Sequence, residues 1–178
     1  MSKKIFYGIA FSLLLSLFGS LEPRAATFES SNSAALYNGK NEASQVFNYK
    51  NKRIYLSDDD INLMAQVVFA ESRAEPYEGK VAVASVILNR LLHPGFPKTV
   101  SGVIMQKGAF SCVVNGKLNV VPTEECYNAV FDALKGKDPT GEAVFFYNPK
   151  TAKSQWMKNV KKSNVKPIGN HVFFFVQK

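Results

Sequence analysis

The sequence predicts an α+β fold, with helices packed beside a small antiparallel sheet. Two observations carry this. From Tyr55 onward the local signals alternate between helical and strand types, with no internal repeat or low-complexity block. In addition, Val81–Leu88 (VAVASVIL) is apolar on nearly every face, as a helix buried at the centre of a domain requires. A hydrophobic fraction of 46% with 20% charged residues supplies the core for one domain and excludes a disordered chain.

Taken in order, Ser57 to Asp60 offer a cap and negative charge for a helix N-terminus. Ile61, Met64, Ala65 and Val68 then follow at i, i+3, i+4 and i+7, and the helix ends near Glu71. Pro76, between Glu75 and Glu78, starts the central helix, where Ala82, Ala84 and Ser85 admit close neighbours. His93-Pro94-Gly95-Phe96-Pro97 breaks the chain, Thr99 caps a short turn through Ile104, and Ser111–Val121 reads as a hairpin around Asn115-Gly116. Thr123 caps a helix to Leu134 that Gly136 closes. After the Asp138–Gly141 turn come a strand at Ala143–Tyr147, a helical stretch at Ser154–Lys158 and a last strand at Val172–Val176.

The first residues address the compartment. Lys3 and Lys4 precede an apolar run from Ile5 to Gly19, the pattern of a secretory leader, which predicts residues 1–26 as a signal cut after Ala26. Left uncut, it would anchor the chain to a membrane; either way the body lies outside the cytoplasm, in a wall or the extracellular space, and nucleic acid is not an expected partner. Residues 27–54, rich in Ser, Asn, Lys and Ala, read as a linker, and 55–178 as the functional domain. Cys112 and Cys126 form an even pair in an exported chain. A bridge between them is expected, worth roughly 3 kcal/mol for a loop of about 15 residues in the chain-entropy model.

Few residues can carry chemistry. Two His and two Cys rule out a cysteine-built zinc site and a three-histidine one, so neither metal nor cofactor is expected. Glu71 ends a helix behind the apolar Val67-Val68-Phe69-Ala70. At the edge of a core a carboxyl loses solvation, which favours its protonated form and suits a general acid. The plainer alternative is a helix-end glutamate paired with Arg73 or Arg90. Glu75 and Glu78 are accounted for by the dipole of the next helix. No acid follows Glu142, so a second carboxylate is hard to place and a single-acid mechanism fits better. The same tail holds seven lysines, either a solvated face or a surface for an anionic wall.

The run Ile61–Arg90 resembles the opening motif of the SleB/CwlJ-type cell-wall hydrolases, the spore-cortex-lytic family. The similarity continues through His93–Pro97, Gly108–Ser111, Asp138–Gly141, Phe146–Pro149 and Ile168–His171. The resemblance implies a lysozyme-like domain with a glycan groove and one essential glutamate, which falls on Glu71. Where the family string has Ala and Gly, this chain has Ser72 and Ala74, and an alanine at the second position removes the freedom to adopt φ > 0. The implied reaction is cleavage of the peptidoglycan bond between N-acetylmuramic acid and N-acetylglucosamine, in spore cortex or cell wall. Ser111, Tyr147, Asn148, Trp156, Asn170 and His171 fall in family motifs as candidate substrate contacts. The expected partners are peptidoglycan strands and a spore or wall protein. Two other classes stay open: a peptidoglycan amidase using His93 and His171 with Cys112 and Cys126, and a noncatalytic wall-binding module.

Overall fold

The chain enters the domain through a hairpin, not a linker. In the computed structural model, which describes residues 44–177, β1 (Ser44–Tyr49) pairs antiparallel with β2 (Lys52–Ser57) across Lys50 and Asn51. Both turn residues have positive φ, 50° and 62°, as a two-residue hairpin turn demands. The expected leader and residues 27–43 lie outside the described residues; residues 44–54 correct the boundary expected at 55. The reason is an alternation masked by polar neighbours: Tyr49, Ile54 and Leu56 are buried, while Ser44, Gln45 and Lys52 face out. The Tyr49 hydroxyl donates to Asn89 Oδ1 at 2.9 Å. Lys50 Nζ donates to Asn89 Oδ1 and Asp138 Oδ2, each at 2.8 Å. Burial pushes the Asp138 carboxyl up, but hydrogen bonds from Lys50, Thr140 and Asn89 outweigh it and hold the group below the usual carboxylate range.

α1 (Asp58–Glu71) starts at a capping box: the Ser57 hydroxyl accepts from the Asp60 amide and the Asp60 carboxylate from the Ser57 amide, both at 3.1 Å. α2 (Tyr77–Leu92) is buried without interruption from Gly79 to Leu91. α1, α3 (Val100–Met105, capped by the Thr99 hydroxyl) and α4 (Glu124–Leu134) all pack on it. Each fully buried Val, Leu or Ile contributes roughly 1.5–3 kcal/mol, so this cluster is the main store of apolar stabilisation.

Beyond α4 the chain builds the second layer. β3 (Phe145–Tyr147), α5 (Gln155–Asn159), β4 (Lys162–Ile168) and β5 (His171–Val176) give an antiparallel sheet of order β3-β5-β4. The strand expected from Ala143 begins later because side chains of α2 take its first carbonyls: Asn89 Nδ2 donates to Ala143 O at 3.1 Å and Arg90 Nε to Val144 O at 2.8 Å. β4 is unheralded in the sequence. It is an edge strand with lysines, Pro167 and a bulge between Ser163 and Lys166, features that hide a period of two. The hairpin expected around Asn115-Gly116 shrinks to one bridge, Val114 with Lys117, closed by two left-handed residues.

Candidate functional site

Glu71 stands at the last turn of α1, half-buried, with its carboxylate turned toward the segment after α3. Glu71 Oε1 accepts from Ser111 Oγ at 3.2 Å and from the Cys112 amide at 3.3 Å. These bonds are long and Ser111 is exposed, so the carboxyl has open approach on one side. One turn and a half earlier, Gln66 Nε2 donates to Val120 O at 3.1 Å. α1 thus holds the 111–120 loop at two heights. That loop walls a groove of about 530 Å³ lined by Cys112, Val114, Asn115, Lys117, Asn119 and Val120, which meets the Glu71 contacts at Cys112. Neither Asn115 nor Asn119 stands out in the sequence, since both sit in a stretch that reads as a hairpin.

The expected disulfide is not formed; Cys112 and Cys126 are both free. Cys126 is buried on the inner face of α4, its sulfur 3.3 Å from Thr123 Oγ1, whereas Cys112 belongs to the Glu71 loop. Burial pushes the Cys112 thiol up to about 12, and the charge and hydrogen bonding of Glu71 add to it. A thiol so protonated is a poor nucleophile, which counts against the cysteine version of an amidase. Among the described residues no three His, Cys, Asp or Glu side chains gather as metal ligands would.

Neither arginine considered as a partner forms a salt bridge with Glu71 among the described residues. Arg73 lies 4.5 Å over the Phe69 ring. Arg90 is buried among Phe96, Phe110 and Phe145, its guanidinium 4.9–6.0 Å from their ring centres, and one terminal nitrogen has no partner. Burial lowers it to about 10, opposed by the negative charge of Glu71. Through Phe110, Arg90 braces the residue immediately before Ser111.

Glu75 is the residue the sequence reading undervalued. Its side chain is 5% exposed. Oε2 accepts from the Asn170 amide at 2.8 Å, and Oε1 from Asn170 Nδ2 at 3.2 Å. Gly169, at φ +58°, leaves room for this: a Cβ there would lie 2.0 Å from Glu75 Oε2. His171 Nδ1 approaches Glu75 Oε1 to 3.4 Å without hydrogen-bond geometry, and burial holds its pKa below the ordinary value against the pull of Glu75 and Glu71. His171 is therefore a neutral packing residue against Phe146 and Phe173, not the exposed contact the motif suggested. No local periodicity reveals the pairing of Glu75 with Asn170.

The remaining candidates separate into two groups. Tyr147 and Trp156 share an aromatic cluster: Trp156, half-exposed, sets its edge on Phe145 at 5.6 Å, and Phe145 stacks on Phe174, against which Tyr147 packs edgewise. Asn148 forms the following turn, its Oδ1 accepting from the Lys150 amide at 2.9 Å. Ala74 is not among the positive-φ residues, so the loop after Glu71 does not need a glycine there.

Known proteins resemble this chain in sequence and fold. A family model described as Cell Wall Hydrolase matches residues 74–174. Those residues begin three after Glu71, whose role therefore rests on its geometry and on the motif around it. The spore cortex-lytic enzyme of Halalkalibacterium halodurans is 51% identical over 117 residues, which are 66% of this chain and 35% of that protein. That of Bacillus subtilis is 48% identical over 117 residues, 38% of its length. The chain thus spans less than half the length of these relatives. The crystal structure of the catalytic domain of the Bacillus cereus SleB protein is 47% identical, with a TM-score of 0.61, and the match covers 72% of this chain and 96% of that one. The catalytic domain of the germination-specific lytic transglycosylase SleB from Bacillus anthracis is 48% identical, with a TM-score of 0.62 over 67% of this chain and 97% of that one. The fold is accordingly that of the SleB catalytic domain, and the chain belongs to the cell wall hydrolase family.

Proposed function

We propose that this protein is a lytic transglycosylase of peptidoglycan, cutting the β-1,4 bond between N-acetylmuramic acid and N-acetylglucosamine with Glu71 as sole general acid and base. The observation that carries the reading is the contrast between Glu71, held only by two long hydrogen bonds at the end of α1, and the two other motif carboxylates, Glu75 and Asp138, whose oxygens are committed elsewhere. Glu71 is half-buried and meets the groove through Cys112. Glu75 is buried and committed to Asn170, and Asp138 is committed to Lys50, Asn89 and Thr140. Retaining and inverting glycosidases use two carboxyls; one suffices when the substrate supplies its own nucleophile.

Protonated Glu71 gives its proton to the glycosidic oxygen as the bond from muramic C1 breaks, releasing the acetylglucosamine side. The resulting Glu71 carboxylate accepts the proton of the muramic C6 hydroxyl, whose oxygen bonds C1. The product is a 1,6-anhydro sugar, Glu71 is protonated again, and no water is consumed. The Ser111 hydroxyl and Cys112 amide steady the anionic carboxylate between the two steps. Asn115 and Asn119, which line the groove, are the side chains we assign to sugar amides, and the aromatic Trp156 and Tyr147 those we assign to sugar faces. Export through the leader at residues 1–26 would deliver the enzyme to this polymer in the wall or spore cortex. Mass spectrometry of digested sacculi tests the reading. Anhydro-muramic ends are the expected product; reducing ends would indicate hydrolysis, and free stem peptides an amidase.

A further inference from the structure

We infer that the surface of the turn after β3, of α5 and of the start of β4 is a holding site for the carboxylates of peptidoglycan stem peptides, separate from the groove at Glu71. The inference rests on peptidoglycan being the polymer bound and adds how it is retained.

The charge distribution is lopsided. Seven of the 22 cationic residues and none of the 14 acids follow Glu142, so residues 1–142 are close to neutral and the excess lies at the end of the chain. Lys150, Lys153, Lys158 and Lys161 are all exposed, and none of them pairs with a carboxylate among the described residues. Before Glu142, lysines are interspersed with acids and three of them pair: Lys50 with Asp138, Lys80 with Glu125, Lys137 with Asp132. Lys162 differs from the exposed four. It is half-buried, lies 5.3 Å over the Tyr147 ring and 5.2 Å over that of Phe174, and donates to the Lys158 and Val160 carbonyls at 3.1 Å. It fixes α5 to the sheet, leaving the other four free to serve a ligand.

The chemistry selects the occupant. No arginine occurs after Arg90, so nothing here offers the planar fork that grips one phosphate or carboxylate at fixed geometry. Mobile ammonium groups around a half-exposed tryptophan instead suit a strand that offers a sugar face and, at intervals, a carboxylate on a flexible peptide. Attraction of this kind works through local concentration and is screened within about 8 Å at physiological ionic strength.

The test uses the purified protein and sacculi stripped of teichoic acid. Retention measured by sedimentation should fall at least about tenfold on going from low to high salt. The combined variant Lys150→Gln, Lys153→Gln, Lys158→Gln, Lys161→Gln should bind about tenfold more weakly at low salt and lose most of the salt response, while the four Lys→Arg changes restore retention. Amidating the carboxyls of the sacculi should reproduce the glutamine variant. Retention that is unchanged by the glutamine changes or by amidation overturns the inference, as does retention that appears only when teichoic acid is left in place, which would make phosphate the ligand. Circular dichroism verifies that the glutamine variant folds. Release of anhydro-muropeptides by the parent is scored separately: its absence would sink the transglycosylase reading while the charge dependence of retention could still hold.

Discussion

Glu71 and Glu75 lie four residues apart and have opposite fates. Glu71 ends a helix, touches one exposed hydroxyl and one amide at long distance, and borders a groove. Glu75 is sealed, accepts two bonds from Asn170 and lies against a buried imidazole. Both are glutamates, so residue type does not account for the difference. Access does, together with the commitment of lone pairs. The second glutamate also serves the first, because it pins the far end of the loop that leaves Glu71.

The contrast is broken most severely at the open carboxylate. Glu71→Gln should keep the fold and lower turnover by at least about a hundredfold, since a positioned general acid is typically worth 10²- to 10⁴-fold. Muropeptide release near the parental rate would remove Glu71 from the mechanism. Next in size is Gly169→Ala. It forces a side chain into a left-handed backbone, at about 1–2 kcal/mol, and into the space of Glu75 Oε2. A denaturant midpoint shift equivalent to at least about 2 kcal/mol is expected, and no shift would show the latch to be slack.

Glu75→Gln should cost less, about 1–3 kcal/mol, because one oxygen still accepts while its amide faces donors. The effect should appear in melting more than in turnover; the reverse pattern would move Glu75 into the chemistry. The smallest effect concerns pH. Burial depresses the His171 pKa below the 6.5 of the unfolded chain, so below that value the unfolded state takes up a proton that the folded state refuses. The stability this supplies is present above pH 6.5 and is lost as pH falls through the folded pKa. His171→Gln should flatten that part of the curve of melting temperature against pH, and an unaltered slope would assign it to other groups.

The helical half of this domain was legible because its signals are local. The Ser57 cap, the apolar spacing of α1, the all-apolar centre of α2, and the Thr99 and Thr123 starts each fall within one or two turns of chain. The sheet half was legible only in part. β3 is cut short by side chains from α2, and β4 disguises itself with lysines and a proline. The N-terminal hairpin was hidden because only Tyr49, Ile54 and Leu56 among its residues are buried. For the site, the Glu71 motif sufficed to single out a carboxylate at the end of α1. The groove residues and the Glu75 latch depend on contacts between distant segments, as does the bond from the Cys112 amide to Glu71, 41 positions away.

Those distances also govern how the molecule comes into being. The Glu75 latch closes a loop of 95 residues, and the Lys50 bond to Asp138 one of 88. Contacts of such sequence separation form late, because the entropy of closing the loop must be met before they return any energy. A chain whose last strand has not yet been made therefore has no fixed loop behind Glu71. The end of α1 that carries Glu71 becomes organised only once nearly the whole domain has been made.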